Sequence, residues 1–257
     1  MPEPIKAIPK FTVLGVRVHA VQIPDVIAWM EHAISEGPYG KFLAATGMHG
    51  VTEAMHDPQF MKVLNEADLV VPDGMPLVWL ARNHGFMLKR RVYGPELMDT
   101  FCRETGAKYR HFFYGGAPGV PELLAKVMKE KHKINIAGCW SPPYRPLTGL
   151  EEIHLTEMIA TAAPDLLWVG LSTPKQERWM HSHRNSLCVP LMMGVGAAFD
   201  FHTGRLKQAP AWMQKSGLEW LFRLIQEPKR LWRRYLINGG EFIWNIALES
   251  LNLAKKQ

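Results

Sequence analysis

Asp73 stands where a carboxylate could act on a bound ligand. The stretch 67–94, ADLVVPDGMPLVWLARNHGFMLKRRVYG, reads as a short buried strand over 68–72, a turn at Asp73-Gly74 and a helix over 75–84. Leu77, Val78, Leu80 and Ala81 take the apolar side of that helix. In an open α/β sheet, ligands bind in the crevice beyond the carboxyl ends of the strands, so a carboxylate in such a turn can face one. Asp is also a favoured helix N-cap, and for this stretch alone the cap is the commoner use.

Other polar residues occupy the same kind of position. Thr46 ends a second strand, and Asp200 follows the Gly194-Val195-Gly196 turn. Ser172-Thr173-Pro174-Lys175-Gln176-Glu177 joins another strand to a helix, with Thr173 as N-cap, Pro174 at N1 and Gln176 at N3 in the pattern of a capping box. The same turn would present free N–H groups, Lys175 and Gln176 to the crevice. Separate polar strand ends can converge on one ligand, which independent caps have no need to do.

Gly115-Gly116-Ala117-Pro118-Gly119 likewise follows a strand and opens a helix, where backbone N–H groups can hold a phosphate, although a tight turn is the plainer reading. It does not fit GxGxxG, and neither Glu122 nor Glu130 stands where a ribose-binding acid is expected, which counts against an NAD(P) oxidoreductase. His181 and His183 are two apart on a helix and point away from each other, so they read as surface histidines. The chain has no Asp-x-Asp pair, and Cys102, Cys139 and Cys188 are scattered without a CxxC. No metal and no cofactor are therefore expected, and a leaving phosphate would have to be neutralised by Arg or Lys. The thiols suggest a reducing, cytosolic setting.

Charge locates a second functional region. The net charge of +6 arises entirely after residue 200: the first 200 residues hold 20 basic and 20 acidic side chains, the last 57 hold 10 and 4. Trp212, Trp220, Trp232 and Trp244 lie in the same stretch. Basic residues interleaved with large apolar ones suit an anionic membrane surface or a phosphorylated ligand. A nucleic-acid groove is the rival reading. Arg223, Arg230 and Arg233 share one face if the helix runs on across Pro228; a solvated basic face is the plain alternative.

These residues need a scaffold, and the chain supplies one. Strand patterns at 11–18, 41–45, 68–72, 109–114, 134–140, 166–170 and 189–195 alternate with helical patterns at 24–36, after Gly50 through 67 (broken near Asp57-Pro58), 75–84, 95–105, 120–132, 150–162 and 175–183. That alternation predicts an α/β fold, a Rossmann-like mostly parallel sheet with helices on both faces. Beyond Gly204 the pattern is helical only, over 218–227, 229–236 and 240–256. The expected division is a catalytic core over 1–204 and a helical appendage over 205–257. With 257 residues, the chain can bury about three quarters of its unfolded surface. The N-terminal MPEPIKAIPK lacks an apolar core, so no signal peptide is expected, and no apolar run approaches the ~20 residues of a spanning helix.

Six motifs in order resemble the WecG/TagA/CpsF glycosyltransferases: Thr46 after its strand, PDGMPLVW around Asp73, RVYGPEL from Arg91, GLSTPKQERW from Gly170, GVGAAFDFHTG from Gly194, and AP-W…GLEWLFRL…EPKRLWRRY over 209–235. The resemblance covers 11–235. It implies a Rossmann-like core of the GT-E type and inverting, metal-independent transfer. The donor would be a nucleotide-sugar such as a UDP-sugar, and the acceptor an undecaprenyl-diphosphate-linked sugar. It implies an enzyme of cell-surface polysaccharide synthesis, cytoplasmic and peripheral on the inner face of the membrane, with self-association as a further possibility and no nucleic acid. By position, Asp73 corresponds to the catalytic base and Thr46 and Gln176 to donor-site residues. Arg91 falls in a site motif, Asp200 corresponds to a sugar-contacting or site-closing residue, and Arg223, Arg230 and Arg233 to the arginines that engage diphosphate. Met48 departs from the family pattern, which has Asn two residues after the threonine; that leaves the donor open between N-acetylmannosamine and a hexose such as glucose. His49 either replaces the missing polar contact or is a buried histidine at the helix start.

Overall fold

The computed structural model describes residues 7–36 and 39–254. The first six residues, the Gly37-Pro38 breaker and the end of the last predicted helix lie outside the described residues.

The chain opens with β1 (Lys10–Val13) and β2 (Val16–His19), where the sequence reads as one strand. Leu14 (φ 48°) and Gly15 (φ 89°) both take positive φ and fold the stretch into an antiparallel hairpin, Phe11 opposite Val18. The hairpin covers the edge of the main sheet: the Val70 N–H donates to His19 Nδ1 at 2.9 Å. Burial, with Lys10 and Arg17 nearby, pulls the His19 pKa down to about 4, so the ring stays neutral.

After α1 (Ile23–Ser35) come β3 (Lys41–Thr46), α2 (Met48–His56), α3 (Pro58–Asn65), β4 (Leu69–Pro72) and α4 (Met75–Asn83). Asp57 makes the break between α2 and α3, since its side chain accepts the Phe60 N–H at 3.0 Å and Pro58 takes the first helical position. Then follow α5 (Gly94–Thr105), β5 (Arg110–Gly115), α6 (Val120–His132), β6 (Asn135–Trp140), α7 (Gly149–Ala162), β7 (Leu166–Gly170), α8 (Lys175–His183) and β8 (Leu191–Gly194).

The six strands stand in the order β4-β3-β8-β7-β5-β6, and every neighbouring pair is parallel. Alternate residues divide the core. Phe42, Ala44, Val70, Tyr114, Val169 and Met192 face Val51, Phe60, Leu77, Leu155 and Met180 of α2, α3, α4, α7 and α8. Leu43, Ala45, Val71, Phe113, Trp168 and Met193 face Met30, Phe101 and Leu124 of α1, α5 and α6. Burial on both faces is why these strands read as near-continuous apolar runs.

The helical C-terminal region comprises the five-residue α9 (Ala198–His202), α10 (Ala211–Lys215), α11 (Glu219–Gln226), α12 (Pro228–Trp232), a π-helical turn over Arg233–Ile237, and α13 (Asn238–Ala254). Helices α9 and α10 are too short to show a period and were not anticipated. The backbone bends at Glu227 (φ −131°, ψ 58°), so α11 and α12 are separate and Arg223, Arg230 and Arg233 do not share the face of one continuous helix. Helix α13 returns to the core against α2, where Thr52 Oγ1 donates to the Asn238 carbonyl at 3.2 Å and Asn238 Nδ2 donates to Glu53 at 3.0 Å.

Candidate active site

The carboxyl ends of β3, β4 and β8 and the start of α8 open into one cavity of about 1170 Å³, roofed by α11, α12, the π-helical turn and α13. Asp73 lies at its floor. Its N–H donates to the Thr46 carbonyl at 2.8 Å, which ties the ends of β3 and β4 together. A Cβ on Gly47 would come within 2.5 Å of the Asp73 carbonyl, so that close approach requires glycine. Gly74 at φ 151° starts α4, and the Asp73 carboxylate caps nothing. The cap reading of Asp73 is thereby overturned: its side chain is left free for the cavity. Burial is the main influence on that carboxyl and raises its pKa, opposed by Arg91 and reinforced by Glu219.

The Val92 N–H donates to the Pro72 carbonyl at 2.9 Å and so seats Arg91 and Tyr93 beside the end of β4. Arg91 pairs with Glu219 and lies 4.1 Å over the Tyr93 ring. Burial raises the Tyr93 phenol pKa, and its hydroxyl has no partner among the described residues, so it remains a free donor at the cavity wall.

On the opposite side Gln176 is 2% exposed, and both ends of its amide are held. Nε2 donates to Glu177 Oε1 at 2.9 Å, and Oε1 accepts the Gly196 N–H at 3.0 Å. Thr173 Oγ1 donates to the same Glu177 oxygen at 2.9 Å. This network replaces the expected capping box. Thr173-Pro174 is a cis peptide, Pro174 takes the N-cap position and no side chain caps the helix. Lys175 is exposed and absent from the cavity lining. Gly194 leaves room for the network, because a Cβ there would stand 2.8 Å from Gln176 Nε2. Gly194→Ala is expected to push this locked amide aside and lower kcat/KM by roughly 10–10²-fold, with a stability loss of about 1–3 kcal/mol. Kinetics and a thermal melt on the same sample check both.

Arginines form the other wall. Arg223, Arg230, Arg233 and Arg234 all line the cavity. Arg230 pairs with Glu227 at 2.7 Å, whereas Arg223, Arg233 and Arg234 have no carboxylate partner among the described residues. Burial pulls the Arg234 pKa down, and its Nε has no acceptor among the described residues. Three uncompensated guanidiniums around one cavity leave a strong demand for an anion, and planar forks suit diphosphate oxygens.

Residues 11–256 match the sequence profile of the Glycosyl transferase WecG/TagA/CpsF family. The chain belongs to that family. It is 30% identical to an N-acetylglucosaminyldiphosphoundecaprenol N-acetyl-beta-D-mannosaminyltransferase of Bacillus spizizenii (strain ATCC 23059 / NRRL B-14472 / W23) over 217 residues, 84% of this chain and 82% of the relative. A protein of the same description from Bacillus subtilis (strain 168) is 28% identical over 216 residues, 83% and 82% of the two chains.

In this WecG/TagA/CpsF member the cavity gathers Asp73, Arg91, Gln176, Arg223, Arg230 and Arg233 from the residues the sequence singled out. Two others lie elsewhere. Thr46 is 2% exposed beneath α2, where a Cβ on Gly50 would meet its Oγ1 at 2.2 Å; its backbone, rather than its hydroxyl, holds Asp73. Asp200 pairs with Arg205 at 3.3 Å and does not line the cavity. The Gly115–Gly119 loop is also absent from the lining, and the Gly116 N–H is already used by the Gly170 carbonyl at 3.0 Å. His181 and His183 pair with Glu66 and Glu152, and among the described residues no three His, Cys, Asp or Glu side chains gather as a metal ion would need.

Residues not anticipated are Tyr93, Glu219, Arg234 and Asn238. His49 lines the cavity beside Met48, 3.2 Å from Asn238 Nδ2. Burial, then Arg234, hold its pKa at about 4, so its 3.6 Å approach to Glu53 is not an ion pair at neutral pH.

Proposed function

We propose that the chain transfers a sugar from a UDP-sugar to an undecaprenyl-diphosphate-linked sugar with inversion at the anomeric carbon. The observation that carries this reading is the placement of one unpartnered, basic carboxylate, Asp73, opposite three guanidiniums that lack carboxylate partners in a single cavity. The acceptor hydroxyl gives its proton to Asp73 while its oxygen bonds the anomeric carbon from the face opposite the nucleotide. The bond from that carbon to the diphosphate oxygen breaks with its electron pair, and Arg223, Arg233 and Arg234 stabilise the charge that develops there. Gln176 and the backbone about Gly194–Gly196 face the donor side.

On this reading the guanidiniums do the work of a metal. The relatives' names favour N-acetylmannosamine as the sugar and an N-acetylglucosaminyl-diphosphate lipid as acceptor. Met48, apolar at the cavity, keeps a hexose donor as the second candidate.

The region over 205–257 would lie on the inner face of the anionic membrane. Trp232 (44% exposed), Ile243 (66%) and Trp244 (66%) present large apolar surface near the basic residues of α12 and the turn after it. No helix of the described residues is long and apolar enough to cross a membrane.

The test is UDP release from a panel of UDP-sugars with an undecaprenyl-diphosphate-sugar analogue. Release that requires the acceptor and survives EDTA is expected, and the sugar that supports it names the donor. Acceptor-independent release, or abolition by EDTA restored with Mg²⁺, would overturn the scheme.

A further inference from the structure

Arg91 does not face Asp73 unopposed. Its guanidinium pairs with Glu219, a carboxylate only 6% exposed at the first position of α11. A buried carboxylate is costly unless paired, and Arg91 is the partner it has among the described residues. The two groups come from different parts of the chain: Arg91 from the segment seated on β4, Glu219 from the C-terminal helices.

The charged groups bearing on Asp73 are Arg91 from that segment, Glu219 and Arg223 from α11, and Arg234 from the π-helical turn; Tyr93 stands beside Arg91. A carboxylate facing three guanidiniums with no other anion would be drawn into a salt bridge, its pKa depressed and its oxygens occupied. Such a group is a poor base. Glu219 holds Arg91 in a salt bridge and offsets part of its pull, which is the strongest of the three on Asp73.

We propose that Glu219 is a positioning residue for the base. By engaging Arg91 it stops that guanidinium from closing on Asp73, and so keeps the carboxylate both basic and open to the acceptor hydroxyl. The inference rests on the reading of Asp73 as the base. It also means that the base is fully tuned only when α11 is seated.

The sign of the pH effect follows. Asp73 must be ionised to work, so activity disappears as pH falls through its pKa, which burial and Glu219 hold above the ordinary carboxylate range. Replacing Glu219 by Gln deletes a neighbouring negative charge and frees Arg91 to pair with Asp73. Both changes lower the pKa of the base.

The experiment is the pH profile of kcat/KM for UDP release by the full chain, using whichever UDP-sugar is turned over and a water-soluble acceptor analogue. Glu219→Gln is expected to move the acid limb to lower pH and reduce the plateau by roughly ten-fold, as a weaker base should. Glu219→Asp, which keeps the charge, should leave the limb in place. A lower plateau with an unmoved limb would make Glu219 merely structural and overturn the proposal. Should Glu219→Gln not fold, the double variant Arg91→Met/Glu219→Gln strands neither charge: with no Arg91 guanidinium left to close on Asp73, the limb must stay at or above the wild-type position, and a limb that falls overturns the proposal equally. Asp73→Asn, run alongside, separates the two levels. Wild-type turnover in that variant removes the base itself, whereas an inactive Asp73→Asn with an unshifted Glu219→Gln limb removes only the role of Glu219.

Discussion

Asp73→Asn is expected to lower sugar transfer by about 10²–10⁴-fold, the usual contribution of a positioned base. The substitution keeps the shape of the side chain and removes only its capacity to take a proton. Nothing in the fold depends on that carboxylate: its backbone N–H holds the end of β4 to β3, while the side chain caps no helix. Burial raises its pKa, so in the wild-type chain ionisation of Asp73 opposes folding as pH rises through that value. The neutral amide does not titrate. At neutral pH the variant should therefore unfold at or above the wild-type temperature and still bind UDP-sugar through the arginine wall. Turnover, a thermal melt and UDP-sugar affinity measured on one preparation distinguish the cases. A rate within ten-fold of wild type would remove Asp73 from the chemistry, and a collapsed melt would mean that the carboxylate holds the fold instead.

The parts of this site that were legible in the sequence are those fixed by short-range patterns. Asp73 and Gln176 follow apolar strand runs, and a parallel sheet puts such strand ends on one edge, so their convergence could be expected before any coordinates. Thr46 shared that position and still turned away. Its side chain lies against Gly50 in the first turn of α2, and no periodicity records the direction of a side chain at a strand end. The capping pattern at Thr173 was real as a pattern, but Glu177, fully buried, draws in the Thr173 hydroxyl and the Gln176 amide N–H, and Gln176 Oε1 turns to the Gly196 N–H, so neither side chain caps the helix. Glu219 and Arg234 were hidden for a different reason. Glu219 meets Arg91 across 128 positions of the chain, an approach no local pattern records, and Arg234 lies in the π-helical turn, a departure from regular geometry that a helical repeat assumes away. The hairpin at Leu14-Gly15 was missed because apolar residues continue on both sides of it.

A chain ending at Thr203 is expected to fold and to lose transfer altogether. The six-stranded sheet is complete before that point, and so are its apolar layers apart from Phe242 and the partly buried Ile246 of α13. Of the buried apolar residues, the removed segment supplies Ala209, Leu231 and Phe242, and the last two are worth about 1.5–3 kcal/mol each by burial. That loss is tolerable for a core of this size. The catalytic loss is not, because the segment carries Glu219, Arg223, Arg230, Arg233 and Arg234, every guanidinium of the cavity except that of Arg91. One preorganised donor to a developing oxyanion is worth about 10²–10³-fold, and several are removed together. Circular dichroism with a thermal melt should show a cooperative α/β fold, and UDP release should fall to background even with a water-soluble acceptor. The soluble acceptor matters because it separates loss of membrane docking from loss of the cavity wall. If the shortened chain aggregates, the full chain with Arg223, Arg233 and Arg234 all changed to Gln tests the same point, since those side chains make no ion pair among the described residues and their removal leaves no carboxylate stranded. Full activity of either variant would mean that the leaving diphosphate is neutralised from elsewhere, and the arginine wall would then have to be read as a lipid-facing surface alone.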